Sequence, residues 1–312
     1  DDDALVRQEA VDALGIQSPC PPEILQAVTC LLDDDDLGVR QAAANVLGMQ
    51  SPWLPEILQA VTCRLDDDAS YVRQAAIQAL GTQSPWPPEI LQAVTCRLDD
   101  DASYVRQAAV NALGRQSPCP PEILQAVTCR LDDDDALVRW AAVGALGRQP
   151  SWPPEILKLV TCRLDDDDSA VRQEVVDALG RQSPWPPEIL QAVTCRLDDD
   201  DLYVRQAAVN ALGTRSAWPP EILQAVTCRL DDDAALVRWA AVGALGRQPS
   251  WPPGILKAVT CRLDDDNTDV RWEVVDALGR QSPWPPEILQ AIMIVQNLGS
   301  KKYPWDVCLL CV

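Results

Sequence analysis

Histidine is absent from this chain of 312 residues. That removes the usual general base near neutral pH and the commonest transition-metal ligand. Phenylalanine is absent too, so aromatic packing falls mainly to the 11 Trp. No apolar run reaches the length of about 18 residues that a membrane-spanning helix needs. Positive charge is scarce, with 26 Lys and Arg against 47 Asp and Glu, a net charge of −21. Such a surface repels nucleic-acid phosphates and anionic lipid heads. Neither nucleic acid nor membrane is therefore an expected partner, whereas a basic protein, a basic peptide or a cation is.

What the chain has is repetition. The pair Val-Arg recurs from Val6-Arg7 through Val105-Arg106 to Val270-Arg271, nine times at a constant step of 33 residues. Gly15, Gly48, Gly81, Gly114, Gly147, Gly180, Gly213, Gly246 and Gly279 keep the same step. A constant step of this size is the mark of a stacked array, which can be one unit at any length.

Each repeat is predicted to hold two helices. In the copy from Ser84 to Gln116, helix A begins at Pro87, Pro88 and Glu89. Proline is tolerated in a first turn because its missing N–H has no partner there anyway. Glu89 complements the positive end of the helix dipole. Ile90, Leu91, Val94 and Leu98 form one apolar stripe. Asp99, Asp100 and Asp101 make the turn, where carboxylates can cap helix B. Helix B buries Val105, Ala109, Ala112 and Leu113, and Gly114 is placed to serve as a left-handed C-cap. Helices of roughly 11 to 13 residues are marginal alone in water, so stability must come from stacking. Eight complete pairs are expected from about Pro21 to Gln281, with a lone helix B before them and a lone helix A after.

The pattern P-x-I-L-x-x-V-x-x-R-L-D-D-x-x-x-x-V-R-x-x-A-x-x-A-L-G resembles the HEAT repeat, in the short form also seen in bilin-lyase-type proteins. The units S-P-W-P-P-E-I-L-Q-A-V further resemble the carboxy-terminal arrays of fungal NACHT-type, NLR-like immune receptors. The resemblance implies an all-α, right-handed α-α superhelix that binds proteins, usually through helix B. It also implies a ladder between adjacent units, with Asp101 and Arg106, and Asp68 and Arg73, at the matching positions. A single solenoid over residues 1–298 and a divergent tail over 299–312 are expected. Because the chain opens inside a repeat, it is expected to be a monomeric array within a longer, receptor-like protein.

The copies differ at three positions of helix B, spaced three and four apart and so on one face. That stripe holds Tyr71, Gln74 and Gln78, then Tyr104, Gln107 and Asn111, then Leu137 and Trp140 followed by Gly144. It continues with Gln173 and Asp177, Tyr203, Gln206 and Asn210, Leu236 and Trp239, and Trp272 and Asp276. Aromatic side chains among polar neighbours suit a protein interface. The alternative is unconstrained drift, which in an acidic surface would more often give Lys, Glu or Ser. A second period of 99 residues is visible. Trp140-Ala141-Ala142-Val143-Gly144 returns as Trp239-Ala240-Ala241-Val242-Gly243, and Glu174-Val175-Val176-Asp177 returns as Glu273-Val274-Val275-Asp276. A block of three repeats duplicated as one piece accounts for both.

Eight Cys from Cys30 to Cys261 share one helix A position away from the apolar stripe. Neighbouring copies, roughly 10 Å apart, lie beyond the Cα separation of about 7 Å that a disulfide tolerates. They are read as free thiols in a reducing compartment, which places the chain in the cytoplasm. Cys308 and Cys311 form one weak C-x-x-C signal. The Asp runs lack the offsets and turn glycine of a calcium loop. They are expected to cap helices and to repel one another unless Arg interleaves, so that moderate salt raises the melting temperature. Trp53, Trp86, Trp152, Trp185, Trp218, Trp251 and Trp284 stand where a hydrophobic staple would, with Cys20 and Cys119 replacing Trp at two less well packed junctions.

The function that follows is protein recognition through the helix B stripe, without catalysis, cofactor or metal. Two alternatives stand beside it. One is a bilin-lyase-like enzyme, which would need a single pocket of one-off residues. The other is a purely structural spacer.

Overall fold

The computed structural model describes residues 3–15, 20–50, 52–83, 85–116, 120–215 and 218–281. Cys119, Trp284, Cys308, Cys311, the lone final helix A and the tail 299–312 lie outside the described residues.

The described residues form seventeen α-helices and no strand. They fall into two compact units that meet in sequence between Ser183 and Pro184. In the first unit, α1 (Ala4–Gly15) is a lone helix B. It is followed by the pairs α2 (Pro22–Cys30) and α3 (Leu37–Gly48), α4 (Pro55–Cys63) and α5 (Ser70–Leu80), and α6 (Pro88–Cys96) and α7 (Ser103–Leu113). The pairs α8 (Pro121–Cys129) and α9 (Ala136–Gly147), and α10 (Pro154–Cys162) and α11 (Ser169–Arg181), complete it. The second unit holds α12 (Pro187–Cys195) and α13 (Leu202–Gly213), α14 (Pro220–Cys228) and α15 (Ala235–Gly246), and α16 (Pro253–Cys261) and α17 (Thr268–Arg280). The eight pairs expected from the period are all present.

Helix A is shorter as an α-helix than its apolar pattern suggests. It spans nine residues and closes in a 3-10 turn, such as Arg97–Asp99 after α6. That turn points Leu98 inward, where it is buried with Ile90 and Val94. Each such leucine contributes about 2 kcal/mol by leaving water. Within each unit, every helix B packs on the helix B of the next repeat. Val105, Ala108, Ala109, Val110, Ala112 and Leu113 of α7 are all buried.

Glycine at the end of helix B has a different role from the expected one. Gly81 and Gly114 sit at φ −62° and −66°, in the ordinary right-handed region, so no left-handed cap forms. What requires glycine is the approach of the next helix. A Cβ on Gly114 would lie 2.5 Å from the Cβ of Ala145, and one on Gly48 would lie 3.0 Å from the Cα of Ala79.

The Asp turns bind neighbouring repeats through arginine. Arg106 donates through Nε to Asp133 at 2.9 Å and through Nη2 to Asp133 and Asp134 at 2.6 and 2.5 Å, one repeat onward. Its Nη1 donates to the carbonyls of Asp100 and Asp101 in its own turn, at 3.1 and 3.3 Å. Arg7, Arg40, Arg73 and Arg139 make forward bridges in the first unit, as do Arg205 and Arg238 in the second. The ladder implied by the family resemblance is thus present, with one correction. The buried partner is the earlier Asp of the pair: Asp133 retains 4% side-chain exposure and Asp134 90%. Only the inner pair is shielded enough from water to contribute strongly.

A second set runs the opposite way. Arg97 reaches back to Asp66 at 3.2 Å and to the carbonyl of Leu65 at 3.1 Å, and Arg64, Arg130, Arg163, Arg229 and Arg262 repeat the contact. Arginine therefore interleaves with the stacked carboxylates, so their mutual repulsion applies only to the excess.

The linker tryptophans fix the chain between helices. The indole N–H of Trp86 donates to the carbonyl of Leu80 at 2.9 Å, at the end of the preceding helix B. Trp53, Trp152, Trp218 and Trp251 do the same at Leu47, Leu146, Leu212 and Leu245. Each of these carbonyls also accepts a backbone N–H three residues on, such as that of Gln83 at Leu80, so the indole takes its second lone pair. At the junction where Cys20 replaces Trp, the cysteine is buried.

Candidate interaction surface

The small residues that let helices B approach each other occupy one side of each helix. The variable positions are left on the other. None of the seventeen stripe residues is buried. Tyr71, Leu137, Tyr203 and Leu236 are about half exposed, at 55%, 60%, 52% and 46%. Trp140, Trp239 and Trp272 are also exposed. Gln74, Tyr104, Gln107, Asn111, Gln173, Asp177, Gln206 and Asn210 are partly exposed, and Gln78 and Asp276 fully so.

Some of these residues meet and others do not. In the first unit, the rings of Tyr71 and Tyr104 stack with centroids 5.1 Å apart and planes 13° from parallel. The Tyr104 hydroxyl is hydrogen-bonded to that of Ser70. Gln173 and Asp177 lie one turn apart on α11. Gln78 lines a shallow depression with Asp12 and Asn45, at the ends of α1, α3 and α5.

In the second unit, Leu236 and Trp239 of α15 face Trp272 and Asp276 of α17 across an open groove of about 970 Å³. Asn267, Asp269, Glu273 and Arg280 complete its walls. Arg280 is paired with Asp276 and lies 3.7 Å from Glu273. Asn267 caps α17 by accepting the N–H groups of Asp269 and Val270.

The same residue types recur in the first unit, on α9 and α11, where Trp140, Glu174 and Asp177 hold the places of Trp239, Glu273 and Asp276. Gly144 faces the carboxylate of Glu174, and Arg181 lies 3.4 Å from it. Burial pushes the Glu174 carboxyl above the usual carboxylate range, against the pull of Arg181, and burial likewise raises Asp177. Glu174, Glu273, Arg181 and Arg280 are absent from the predicted stripe. The signal that could have found them is the 99-residue period, which returns both walls of the groove together.

The eight helix A cysteines are free and exposed. Among the described residues, no group of three or more His, Cys, Asp or Glu is placed to hold a metal ion. No described helix is long and apolar enough to cross a membrane.

Stacked helix pairs of 33 residues, bound by an Asp–Arg ladder and presenting one variable face, define a helical-repeat protein. HEAT repeats match residues 1–81, 90–180 and 156–246, and the chain belongs to that family. Two solved structures are similar to it. The Escherichia coli protein YibA is 18% identical with a TM-score of 0.66, over 90% of this chain and 99% of its own. An engineered protein is 21% identical with a TM-score of 0.50, over 96% of this chain and 90% of its own. At these identities both speak to the fold alone. No curated protein matches the chain in sequence.

Proposed function

We propose that the chain is a non-catalytic recognition module whose helix B stripe contacts a protein or peptide partner. The observation that carries this reading is the convergence of Leu236, Trp239 and Trp272 on one open groove. Exposed tryptophan at a concave site is the side chain most often found to dominate binding energy. The groove's principal walls return 99 residues apart, which suits a modular recognition surface better than a single active site. The net charge of −21 favours a basic partner. We read the array as the recognition region of a cytoplasmic, receptor-like protein of the NLR type. That assignment rests on the repeat motif, the unbroken register from Val6 to Val270 and the free thiols.

The test is affinity enrichment with the full chain and with the Trp140→Ala, Trp239→Ala, Trp272→Ala triple variant. A control changes three exposed helix A residues, Gln92, Gln125 and Gln191, to Ala. The reading expects partners retained by wild type and control to be lost from the triple variant. Equal retention by all three proteins would overturn it.

A further inference from the structure

One arrangement of residues occurs once in each unit. Where helix B carries Trp in place of Gln in the middle of its stripe and Gly four residues later, the following helix B carries Glu and Asp. The pairs are Trp140 and Gly144 with Glu174 and Asp177, and Trp239 and Gly243 with Glu273 and Asp276. In each pair the glycine faces the glutamate carboxylate. A Cβ on Gly243 would stand 3.0 Å from Oε1 of Glu273, and one on Gly144 would stand 3.4 Å from Oε1 of Glu174. Both glutamates retain only 17% side-chain exposure. Each helix pair thus carries a largely buried glutamate on one helix B and an exposed indole on the helix B before it.

The groove between α15 and α17 takes this furthest. It has two indoles, Trp239 and Trp272, and three carboxylates, Asp269, Glu273 and Asp276, against the single guanidinium of Arg280. An anion entering it would meet excess negative charge. A purely apolar ligand would dehydrate Glu273 and its ion pair with Arg280 without adding a donor, which costs free energy. A planar cation satisfies both walls, stacking on the indole while donating to the carboxylates. The chain itself supplies both halves of that geometry. Arg280 engages Glu273 and Asp276, and the guanidinium of Arg215 lies 4.2 Å from the centre of the Trp185 ring.

We propose that the α15–α17 groove binds an arginine side chain of a basic peptide segment. The guanidinium lies against the indoles of Trp239 and Trp272 and donates to Glu273 and Asp276. The α9–α11 pair, in which Gln173 stands in place of the second Trp, carries the remaining residues of the site and binds more weakly. The inference rests on the recognition reading above and names the chemistry of its ligand.

The test titrates the full chain into a fluorescent nonapeptide of alternating Arg and Gly, read by anisotropy in buffered salt. Matched Lys–Gly and Glu–Gly peptides run alongside, and thermal melts establish that each variant is folded. Trp272→Ala and the isosteric Glu273→Gln are each expected to weaken the Arg peptide by about tenfold, the loss of one cation–π or charged contact. Trp140→Ala should weaken it by no more than about threefold, because a second site remains. The Lys peptide should bind less tightly than the Arg peptide, and the Glu peptide not at all. Equal affinity of the Arg peptide for wild type and Glu273→Gln would mean diffuse attraction to an acidic surface, and would overturn the proposal. Equal affinity for Arg and Lys peptides would overturn the choice of arginine. Neither result touches the recognition reading, whose own failure shows as partner retention by the triple tryptophan variant.

Discussion

At the residue scale the repeat depends on small side chains at fixed places. Gly114 faces the Cβ of Ala145, part of a short side chain on a packed helix that cannot swing aside. Gly114→Ala is expected to cost about 1–3 kcal/mol through overpacking, measured by denaturant unfolding. Gly254 is the opposite case. It stands near the start of α16, where the other copies carry Glu, and a Cβ there would meet nothing within 4 Å. Gly254→Ala should raise stability by about 0.5–1 kcal/mol through helix propensity alone. Nothing in the sequence alone separates the two glycines in cost, because the separation depends on what the next helix brings close. The same limit explains the left-handed cap expected at Gly114. Position after a helix suggested one role, while contact across repeats set another.

At the element scale the helices were legible and the links between them partly so. Period and polarity placed the helices, the buried Val105 and Leu113, and the outward stripe of Tyr71, Gln74 and Gln78. The family pattern marked an Asp–Arg ladder but not its inner partner, since Asp133 and Asp134 are adjacent and chemically alike. Only packing decides which one loses water. Arg106→Ala should cost about 3–5 kcal/mol, because it leaves the carboxylate of Asp133 buried without its charge partner. Asp134→Asn, at the exposed position, should cost less than about 1 kcal/mol. Equilibrium unfolding of the two variants checks the contrast.

Acid should act through the same ladder. Burial alone would raise Asp67, Asp100, Asp133, Asp166, Asp232 and Asp265. Their arginines and the backbone N–H two residues on outweigh it and hold these carboxyls below their ordinary value of 3.8. A group depressed on folding stabilises the fold above its unfolded value, and that stability is lost as pH falls through the folded value. Glu174 and Asp177, raised by burial, work the other way: their contribution is present at low pH and is lost as pH rises through their folded values. The ladder carboxylates outnumber them. The melting temperature should therefore hold near neutrality and fall steeply below about pH 4.

At the scale of the whole chain, a net −21 remains after the ladder has used its share of carboxylates. Two exposed like charges 10 Å apart repel by about 0.4 kcal/mol in water, and salt screens them over about 8–10 Å. The inner ladder pairs are shielded and lose less. Raising salt to about 0.2 M should therefore raise the melting temperature, and a clear fall would mean that ladder attraction outweighs the excess repulsion. The candidate surface was only partly legible at this scale. Exposure of the stripe follows from helical geometry, whereas the α15–α17 groove depends on two adjacent helices, and half of its charged wall sits off the predicted stripe.

The central claim is that partners meet helix B and not helix A. Photo-crosslinking from single positions tests it most directly, with the reactive group placed at Gln206 or Gln107 on helix B, or at Gln191 or Gln92 on helix A. Crosslinks to a second protein are expected from the helix B positions and none from helix A. Crosslinks from Gln191 and Gln92 with none from Gln206 and Gln107 would contradict it.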